Sequence, residues 1–455
     1  FEGRETGTKG QKTAVEYLKA HYKSLQIAPA QANGDYEQDI ELVLKKLPKG
    51  QLTINGQSME NGSGIMAYAA FEFSNTPVVY VGYGVNTPQH NDYQGVDVRG
   101  KIVLAKAGAP MLPALADGST NDWAKQSEGL ERKQKAAFEQ GAVGFIYWDE
   151  AAFARLKRRF DYMKQNDSGR MSIKALESQA SAMVYVDQAK ALLLHPSIAE
   201  SAEATDLGSV EARIKSEDLP IDSENVVAFI PGSEFPEQYV VISSHLDHVG
   251  VLADGSVNNG ADDDGSGSVA LLEIAEAFKL ASDAGQGPRR SVVFLHVTGE
   301  EKGLLGSQYY TDVAPVFPLN KTIANLNIDM IGRIDPERKG DRNYVYLIGS
   351  DKLSTELHEL SEAVNKKFMG IELDYTYNDE NDPNRFYYRS DHYNFAKNNI
   401  PIIFYFNGTH EDYHKPSDTP DKINYDLLTN RTRLVFHTAW EVANRDKAIA
   451  ADKAQ

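Results

Sequence analysis

Apolar and polar residues follow different patterns in different parts of the chain. Over residues 8–25, apolar Val15, Leu18 and Tyr22 recur at approximately helical spacing, which predicts a helix at the edge of a larger domain. Further along, short apolar strands such as PVVYVGYG, KIVLAKAG and AVGFIYW are separated by turns, with one predicted helix, KQKAAFEQG, among them. We therefore predict a separate β-rich module over 75–215.

From residue 216 onwards, predicted strands and helices alternate. YVVISSH, SVVFLHV and IANLNI are predicted strands, and a helix is predicted over 266–280. Such alternation is typical of an α/β domain whose mostly parallel sheet is flanked by helices. We expect residues 1–74 to be the first part of this domain and 216–455 to be its main part, with the β-rich module inserted between them.

Composition limits the classes of partner. The chain has 455 residues, a net charge of -18 and no cysteine. A charge of this sign repels nucleic acid and anionic membranes, whereas a peptide substrate is compatible with it. No apolar run is long enough to span a bilayer. Without cysteine, a metal would have to be bound by His, Asp and Glu. The polar opening FEGRETGTKG also fits a chain from which a signal was removed, so we expect an extracytoplasmic location.

Polar clusters stand where the predicted strands end. They are HLDH at 245–248, GEE at 299–301, NID at 327–329 and, in a loop after the strand IPIIFYF, YHKPSD at 413–418. A further acidic cluster, GADDDGSG at 260–267, is a glycine-rich loop before the predicted helix. In open α/β sheets, ligands bind beyond the carboxyl ends of the strands, so we expect these clusters to converge.

Each cluster also has a structural explanation when it is taken alone. His245 and Asp247 are two residues apart and would face the same way on a strand, as a metal ligand and its orienting carboxylate or as a buried histidine paired with an acid. The three acids at 262–264 could form a surface turn with Ser266 near the helix N-cap, and one central Asp is sufficient for a site. An acidic loop at 378–384 is a minor candidate for calcium.

The second half of the chain adds further candidates. Glu300 and Glu301 are adjacent, so one can bind metal while the other acts as general base, or both can be solvated acids. Asp329 ends an apolar strand, where a lone carboxylate would be costly, and His414 by itself would usually be a surface histidine. Together the clusters supply two histidines, three ligand carboxylates and a spare glutamate, which suits two divalent ions.

With these clusters, the chain resembles the M28 zinc metallopeptidases, which include bacterial aminopeptidases. The motifs SSHLDHVG, NNGADDDGSGSVALLEIA, FLHVTGEEKGLLGS, NLNIDMIGR and DYHKPSDT occur in the family's order over 216–455. The resemblance implies a zinc-exopeptidase fold of the phosphorylase/hydrolase-like type that binds two zinc ions. It implies that His245 and Asp329 bind one zinc, that Glu301 and His414 bind the other, and that Asp263 bridges them.

The same resemblance implies that Glu300 is the general base and that Asp247 orients His245. The opening FEGRETGTKGQKTA is also similar to these exopeptidases, and the β-rich module resembles an inserted protease-associated domain. The candidates to contact the oxyanion or the substrate are Tyr387, Tyr388, Arg389 and Tyr405.

The resulting expectation is an aminopeptidase that acts on peptides. The alternatives are a carboxypeptidase or dipeptidase, or a glutaminyl cyclase, of the same superfamily. Arg389 is a candidate to capture a substrate carboxylate in a carboxypeptidase. A further alternative is a non-catalytic, receptor-like binding protein, but such relatives have lost the ligands that are all present here.

Overall fold

The computed structural model describes residues 1–112, 122–177 and 182–454. The chain divides into two compact units. Unit 1 comprises Phe1–Leu42, Ile173–Leu176 and Pro220–Gln455, and unit 2 comprises Val43–Ser172 and Glu177–Leu219.

The described residues form eighteen strands and nine α-helices. The strands are β1 Ala28–Pro29, β2 Glu37–Lys46, β3 Lys49–Ile54, β4 Gln57–Glu60, β5 Ile65–Met66, β6 Phe71–Tyr80, β7 Ile102–Lys106, β8 Gly144–Trp148, β9 Gly169–Ile173, β10 Met183–Val186, β11 Thr205–Lys215, β12 Asp218–Ile230, β13 Phe235–His245, β14 Arg290–Val297, β15 Thr322–Ile328, β16 Tyr344–Ile348, β17 Glu372–Asp374 and β18 Ile402–Phe406. The helices are α1 Lys9–Ser24, α2 Gln126–Glu139, α3 Glu150–Gln165, α4 Gln188–Leu194, α5 Gly267–Asp283, α6 Leu305–Asp312, α7 Thr355–Val364, α8 His392–Ala396 and α9 Tyr425–Asn444.

Unit 1 is built on a mixed sheet with a parallel centre. The strand order is β17-β16-β18-β15-β13-β14-β12-β2-β9, and β1 pairs with β12. β13 runs parallel to β14 and β15, and β15 runs parallel to β18. β12 and β16 are antiparallel to their inner neighbours. The predicted parallel-centred α/β sheet is therefore confirmed.

The central strands of unit 1 are buried on both faces. All eight residues of β14 are buried. On β13, Val240 and Ile242 pack with α1, α5 and α9 in one core cluster, whereas Val241 packs in a second cluster with residues of α6 and α8. Near-continuous apolar strands are what a sheet covered on both faces requires. Because β13, β14, β15 and β18 run in one direction, the polar segments that follow them lie at one edge of the sheet.

Unit 2 has its own sheet, in the order β4-β3-β11-β6-β7-β8-β10-β5. β6, β7, β8 and β10 are parallel, whereas β11 is antiparallel to β3 and β6. Alternate residues of β6 face two core clusters, with Val78 in one cluster and Val79 in the other.

Unit 2 begins earlier in the sequence than we expected. We assigned residues 43–74 to the main domain, but they lie in unit 2. The reason is that β3 pairs with β11 and β4 pairs with β3, so that Leu52 and Met59 enter the core of unit 2. Among the described helices, none is long and apolar enough to cross a membrane.

Candidate metal centre

Three of the predicted ligands meet at the edge of the unit 1 sheet. His245 is the last residue of β13, Asp329 directly follows β15, and Asp263 lies in the turn Ala261–Ser266 before α5. His245 Nε2 lies 3.1 Å from Asp263 Oδ1 and 3.5 Å from Asp329 Oδ1. All three residues are buried, and their ligand atoms are close enough together to hold one metal ion.

A second group forms around the other oxygen of Asp263. Asp263 Oδ2 lies 3.1 Å from His414 Nε2, which lies 3.1 Å from Glu301 Oε2. Asp263 thus presents one carboxylate oxygen to each group. This position between the groups is the one that a bridging ligand requires.

His248 also belongs to this second group, although the sequence analysis gave it no role. Its Nδ1 lies 2.8 Å from Glu301 Oε1 and 3.7 Å from Asp263 Oδ2. The sequence signal was present, because His248 is the last residue of the HLDH cluster. Strand alternation could not assign it, since β13 ends at His245 and the chain then turns.

The donor set fits a cation. His245 Nε2, His248 Nε2 and Asp263 Oδ2 are buried and make no hydrogen bond within the described structure, although His245 Nε2 and Asp263 Oδ2 lie near charged partners. Buried polar atoms without a partner are costly. Imidazole nitrogens together with carboxylate oxygens are ligands that suit zinc.

Asp247 acts differently from the prediction. The main-chain carbonyl of Asp247 lies 3.0 Å from His245 Nδ1, whereas its carboxylate Oδ1 lies 3.8 Å from that nitrogen. Oδ1 instead accepts the backbone N–H of Glu300 at 3.1 Å, and Oδ2 accepts the hydroxyl of Thr6 at 2.8 Å. The carboxylate therefore fixes the main chain at Glu300, and the carbonyl orients the histidine.

The acids on either side of Asp263, which are Asp262 and Asp264, are buried. The alternative that these acids form a surface turn is therefore wrong for both. Asp264 accepts the backbone N–H groups of Gly267 and Met330 at 2.9 and 3.0 Å. Asp262 accepts the backbone N–H of Gly332 at 2.6 Å. These two carboxylates tie the turn to α5 and to the segment after β15, which leaves Asp263 to face the candidate ligands.

The adjacent acids Glu300 and Glu301 have opposite pKa shifts. Burial raises the pKa of Glu300 well above its usual value, and the neighbouring charges of Glu301, Asp329 and Asp391 add to the rise. Burial and Asp263 also push the pKa of Glu301 upwards, but hydrogen bonds from His248 and His414 outweigh them and lower it. Two neighbouring carboxyl groups shifted apart in this way suit different roles, one as proton carrier and one as ligand.

A cavity of about 30 Å³ lies beside the two groups. Asp263, Glu300 and Asp329 line its polar side. Its remaining wall is largely aromatic and apolar, with one cation, and consists of Met330, Phe386, Arg389, Phe404, Phe406, Thr409 and Tyr413. The cavity therefore places an apolar wall next to the acidic groups.

Only Arg389, of the four proposed oxyanion or substrate residues, lines this cavity. The proposal for Tyr405 is wrong, because alternate residues of β18 face opposite sides of the sheet. Phe404 and Phe406 face the cavity, while Tyr405 is fully buried in the core beneath α7 and α9.

The other two tyrosines also lie away from the cavity wall. The ring of Tyr387 packs against His392 and Tyr388, and Tyr388 is 45% exposed beneath the guanidinium of Arg385. Tyr413 lines the cavity instead, and the sequence analysis missed it although it precedes His414 directly. Burial raises the pKa of Tyr413, so its hydroxyl stays protonated and can donate.

The opening segment of the chain braces the site. The Arg4 guanidinium donates to the backbone carbonyls of Leu246, Asn259 and Gly260 at 3.0, 2.7 and 3.1 Å. Burial lowers the pKa of Arg4, although Asp263 and other acids oppose the shift. Together with the Thr6 contact to Asp247, these bonds hold both the turn of Asp263 and the end of β13.

The fold and the site together define a metal-binding α/β protein whose ligands lie at the carboxyl ends of parallel strands. The sequence model "Peptidase family M28" matches residues 225–439, a region that contains all five predicted ligands.

Curated relatives match parts of the chain. Leupeptin-inactivating enzyme 1 of Streptomyces exfoliatus is 31% identical over 198 residues, which cover 44% of this chain and 38% of that protein. Carboxypeptidase Q of Xenopus laevis is 32% identical over 144 residues, covering 32% and 28% of the two chains. A probable leucine aminopeptidase of Trichophyton verrucosum is 27% identical over 245 residues, covering 50% and 60%. The matches thus span about three fifths of these relatives at most.

Matches to solved structures include one that covers nearly the whole chain. The aminopeptidase from Aneurinibacillus sp. strain AM-1 has a TM-score of 0.52 at 21% identity, with 99% of this chain and 92% of that chain covered. This likeness supports the fold described above.

Proposed function

We propose that this chain is a zinc aminopeptidase, which removes the N-terminal residue of peptides with the help of two zinc ions. The observation that carries the proposal is the position of Asp263 between two groups of histidine and carboxylate ligands, beside the non-ligating Glu300. The match to a peptidase family supports the reaction class, and relatives named as probable leucine aminopeptidases support the choice of peptide end.

In this proposal His245 and Asp329 hold one zinc, Glu301 and His414 hold the other, and Asp263 binds both. His248 holds Oε1 of Glu301, which leaves Oε2 for the metal. Zinc supplies Lewis-acid activation of water and of the substrate carbonyl.

Glu300 is the general base in this scheme. It lines the cavity, its main chain is held by Asp247, and its raised pKa suits a group that must first accept a proton and later release it. Glu300 takes a proton from water and passes it to the leaving amine.

Tyr413 and the cavity wall position the substrate. The protonated hydroxyl of Tyr413 donates to the oxygen that becomes negative during attack on the carbonyl. The first side chain of the peptide lies against Phe386, Phe404 and Phe406, and its α-ammonium group is held by the acids on the opposite wall.

A panel of chromogenic substrates tests the proposal. Aminoacyl substrates with a free amine should be cleaved, the same compounds with a blocked amine should not, and a zinc chelator should abolish cleavage. Cleavage of blocked and free compounds at equal rates would contradict exopeptidase action at the amino end, and full activity in the metal-free protein would contradict zinc catalysis.

A carboxypeptidase is the second candidate, because the cationic Arg389 lines the same cavity and a relative is named Carboxypeptidase Q. Dipeptides with a blocked amine and a free carboxylate distinguish the two activities. If these are cleaved and Arg389→Met raises their KM at constant turnover for aminoacyl substrates, Arg389 binds the carboxylate and the carboxypeptidase is correct.

The assignment of unit 2 to the protease-associated domains and the extracytoplasmic location remain proposals from the sequence. Unit 2 has the β-rich sheet that the first of these requires.

A further inference from the structure

We propose that Asn225 is a positioning residue for Glu300 and Glu301, because its side-chain amide holds together the two ends of the loop that carries them. This loop comprises residues 298–306, and we call it the GEE loop. The inference deepens the proposed function and rests on it in so far as Glu300 is the general base and Glu301 binds zinc.

Three hydrogen bonds close the GEE loop at its ends. The N–H of Gly306 donates to the carbonyl of Thr298 at 2.8 Å. Asn225 bridges the same two residues, because its Oδ1 accepts the N–H of Thr298 at 2.9 Å and its Nδ2 donates to the carbonyl of Gly306 at 3.0 Å. The ladder between β12 and β14 ends at Val226 and His296, so the amide provides the first bond beyond the end of the ladder.

The chemistry of its partners fixes the direction of the Asn225 amide. A main-chain N–H can only donate and a main-chain carbonyl can only accept, so the amide oxygen must face Thr298 and the NH₂ group must face Gly306. The same NH₂ group also donates to Gln38 Oε1 at 2.9 Å, and Gln38 Nε2 donates in turn to the carbonyl of Ala314 at 2.6 Å. Each polar atom of the Asn225 side chain therefore has a partner.

The packing at Gly306 shows how closely the amide fits. Asn225 and Thr298 are 0% exposed, and Gly306 is buried. A Cβ atom at Gly306 would lie 2.3 Å from the carbonyl oxygen of Thr298 and 2.4 Å from Asn225 Oδ1. A larger residue would thus push the ends of the GEE loop apart. Because the contact is buried, loss of the amide would leave the N–H of Thr298 unpaired, which is costly.

Other groups hold the middle of the GEE loop. Asp247 accepts the N–H of Glu300, and Glu301 Oε2 lies 3.1 Å from His414 Nε2. Within the described structure Asn225 has no hydrogen bond to either glutamate, so it acts through the main chain, by fixing where the loop leaves β14 and where it enters α6. A reacting group displaced by about 1 Å can lose about 100-fold in rate. The closed ends of the loop therefore keep Glu300 at the cavity and Glu301 beside its partners.

The test compares two buried asparagines that bond the main chain in the same way. Asn225→Leu removes the three hydrogen bonds of the amide at similar volume. Asn365→Leu is the matched control in unit 1, because Asn365 is 8% exposed and bonds both the N–H and the carbonyl of Ile371, at 3.0 and 2.7 Å, after α7. Gln38→Leu is a milder variant, which keeps Asn225 and removes the group that orients it.

Three properties are measured beside the melting temperature. Hydrogen exchange of residues 298–306 in the metal-free protein reports on the ends of the GEE loop. We expect faster exchange in Asn225→Leu, and zinc affinity, measured by competition with a chromogenic chelator, should fall by about 10-fold at one of two sites. Turnover of an aminoacyl substrate should fall by up to about 100-fold with a smaller change in KM. Gln38→Leu should show smaller changes of the same kind, and Asn365→Leu should show none.

The positioning role would be overturned if Asn225→Leu and Asn365→Leu had the same exchange rate in the GEE loop and the same zinc affinity. It would also be overturned if the losses followed the melting temperature across the three variants. If Asn225→Leu does not fold, unchanged exchange and turnover in Gln38→Leu would overturn it. A wild-type protein that binds zinc but cleaves no aminoacyl substrate would contradict the proposed function instead, and exchange and zinc affinity would still decide the role of Asn225.

Discussion

Unit 2 and the candidate metal centre of unit 1 both bury charged side chains, but they surround them differently. In unit 2, Lys106 Nζ donates to the backbone carbonyls of Ile198 and Ser201 at 3.0 and 2.7 Å. Lys133 Nζ donates to the carbonyls of Lys106 and Gly108 at 3.2 and 2.5 Å. These ammonium groups are satisfied by the main chain, so they are explained by the fold alone.

At the candidate metal centre of unit 1, the buried charged groups face one another. His245 Nε2 and Asp263 Oδ2 make no hydrogen bond, and the acids Asp263, Asp329 and Glu301 converge although like charges repel. The contrast teaches that buried charge alone does not identify a site. Buried charged groups do identify a site when they lack main-chain partners and face other groups that can bind the same ligand.

The largest effect is expected from Asp263→Ala, which removes the carboxylate shared by both groups. We expect loss of both zinc ions and of all measurable peptidase activity, because each metal loses a ligand at once. Elemental analysis and turnover measure the two effects. Retention of two zinc ions by the folded variant would show that Asp263 does not bridge, and the contrast between the units would lose its basis.

A smaller effect is expected from Glu300→Gln, which leaves the ligands in place. Turnover should fall by at least about 100-fold while zinc content is unchanged, since general-base catalysis typically contributes this much. The wild-type enzyme should also lose activity as the pH falls, because Glu300 must be deprotonated to accept a proton and burial raises its pKa. Near-normal turnover in the variant would exclude Glu300 as the base.

Arg4→Met should have an intermediate effect on metal binding. The variant loses the hydrogen bonds to the carbonyls of Leu246, Asn259 and Gly260. We expect zinc affinity to fall by about 10-fold, which is the lower end of the range for groups that hold metal ligands in place. Arg99→Met in unit 2, at an exposed arginine, is the matched control. Equal zinc affinity in both variants would mean that the opening segment does not hold the site.

The smallest effect on activity is expected from Lys133→Met, which should leave zinc content and turnover unchanged. Burial lowers the pKa of Lys133 from its ordinary value of 10.5 to about 8, while Asp92 and Asp149 oppose the shift. Between pH 8 and pH 10.5, Lys133 binds a proton in the unfolded chain but not in the folded chain. The contribution of Lys133 to the free energy of unfolding is therefore fully present above pH 10.5 and is lost as the pH falls through 8.

Chemical denaturation from pH 8 to 10 therefore compares wild type with Lys133→Met. The unfolding free energy of wild type should rise relative to that of the variant by up to about 1.4 kcal/mol per pH unit. Parallel pH profiles would show that Lys133 is not a titrating buried charge, and a fall in zinc content would break the contrast between the units.

Sequence patterns predicted the parts of the molecule that depend on strand ends. His245, Asp263, Glu301, Asp329 and His414 follow apolar strands or lie in turns at the same edge, and the structure brings them together. Their assignment to particular zinc ions stays a proposal.

Features that depend on side-chain direction or on long-range contacts could not be predicted. The alternation along β18 determines that Phe404 and Phe406, and not Tyr405, face the cavity, but the run IIFYF places aliphatic and aromatic residues on both faces. The start of unit 2 at Val43 depends on the pairing of β3 with β11, strands about 150 residues apart. Residues 4–6 resembled a family motif, but nothing local indicated that they reach the turn of Asp263.

The contacts of residues 4–6 with distant parts of the chain also determine when the site can form during biosynthesis. Arg4 and Thr6 contact residues 242 and 241 positions further along the chain, and the ligand His414 is made later still. At ordinary translation rates of about 5 to 20 residues per second, roughly 20 to 80 s separate the synthesis of Arg4 from that of His414. Throughout this interval the nascent chain lacks a complete site, so the proposed peptidase activity can begin only after His414 has been made.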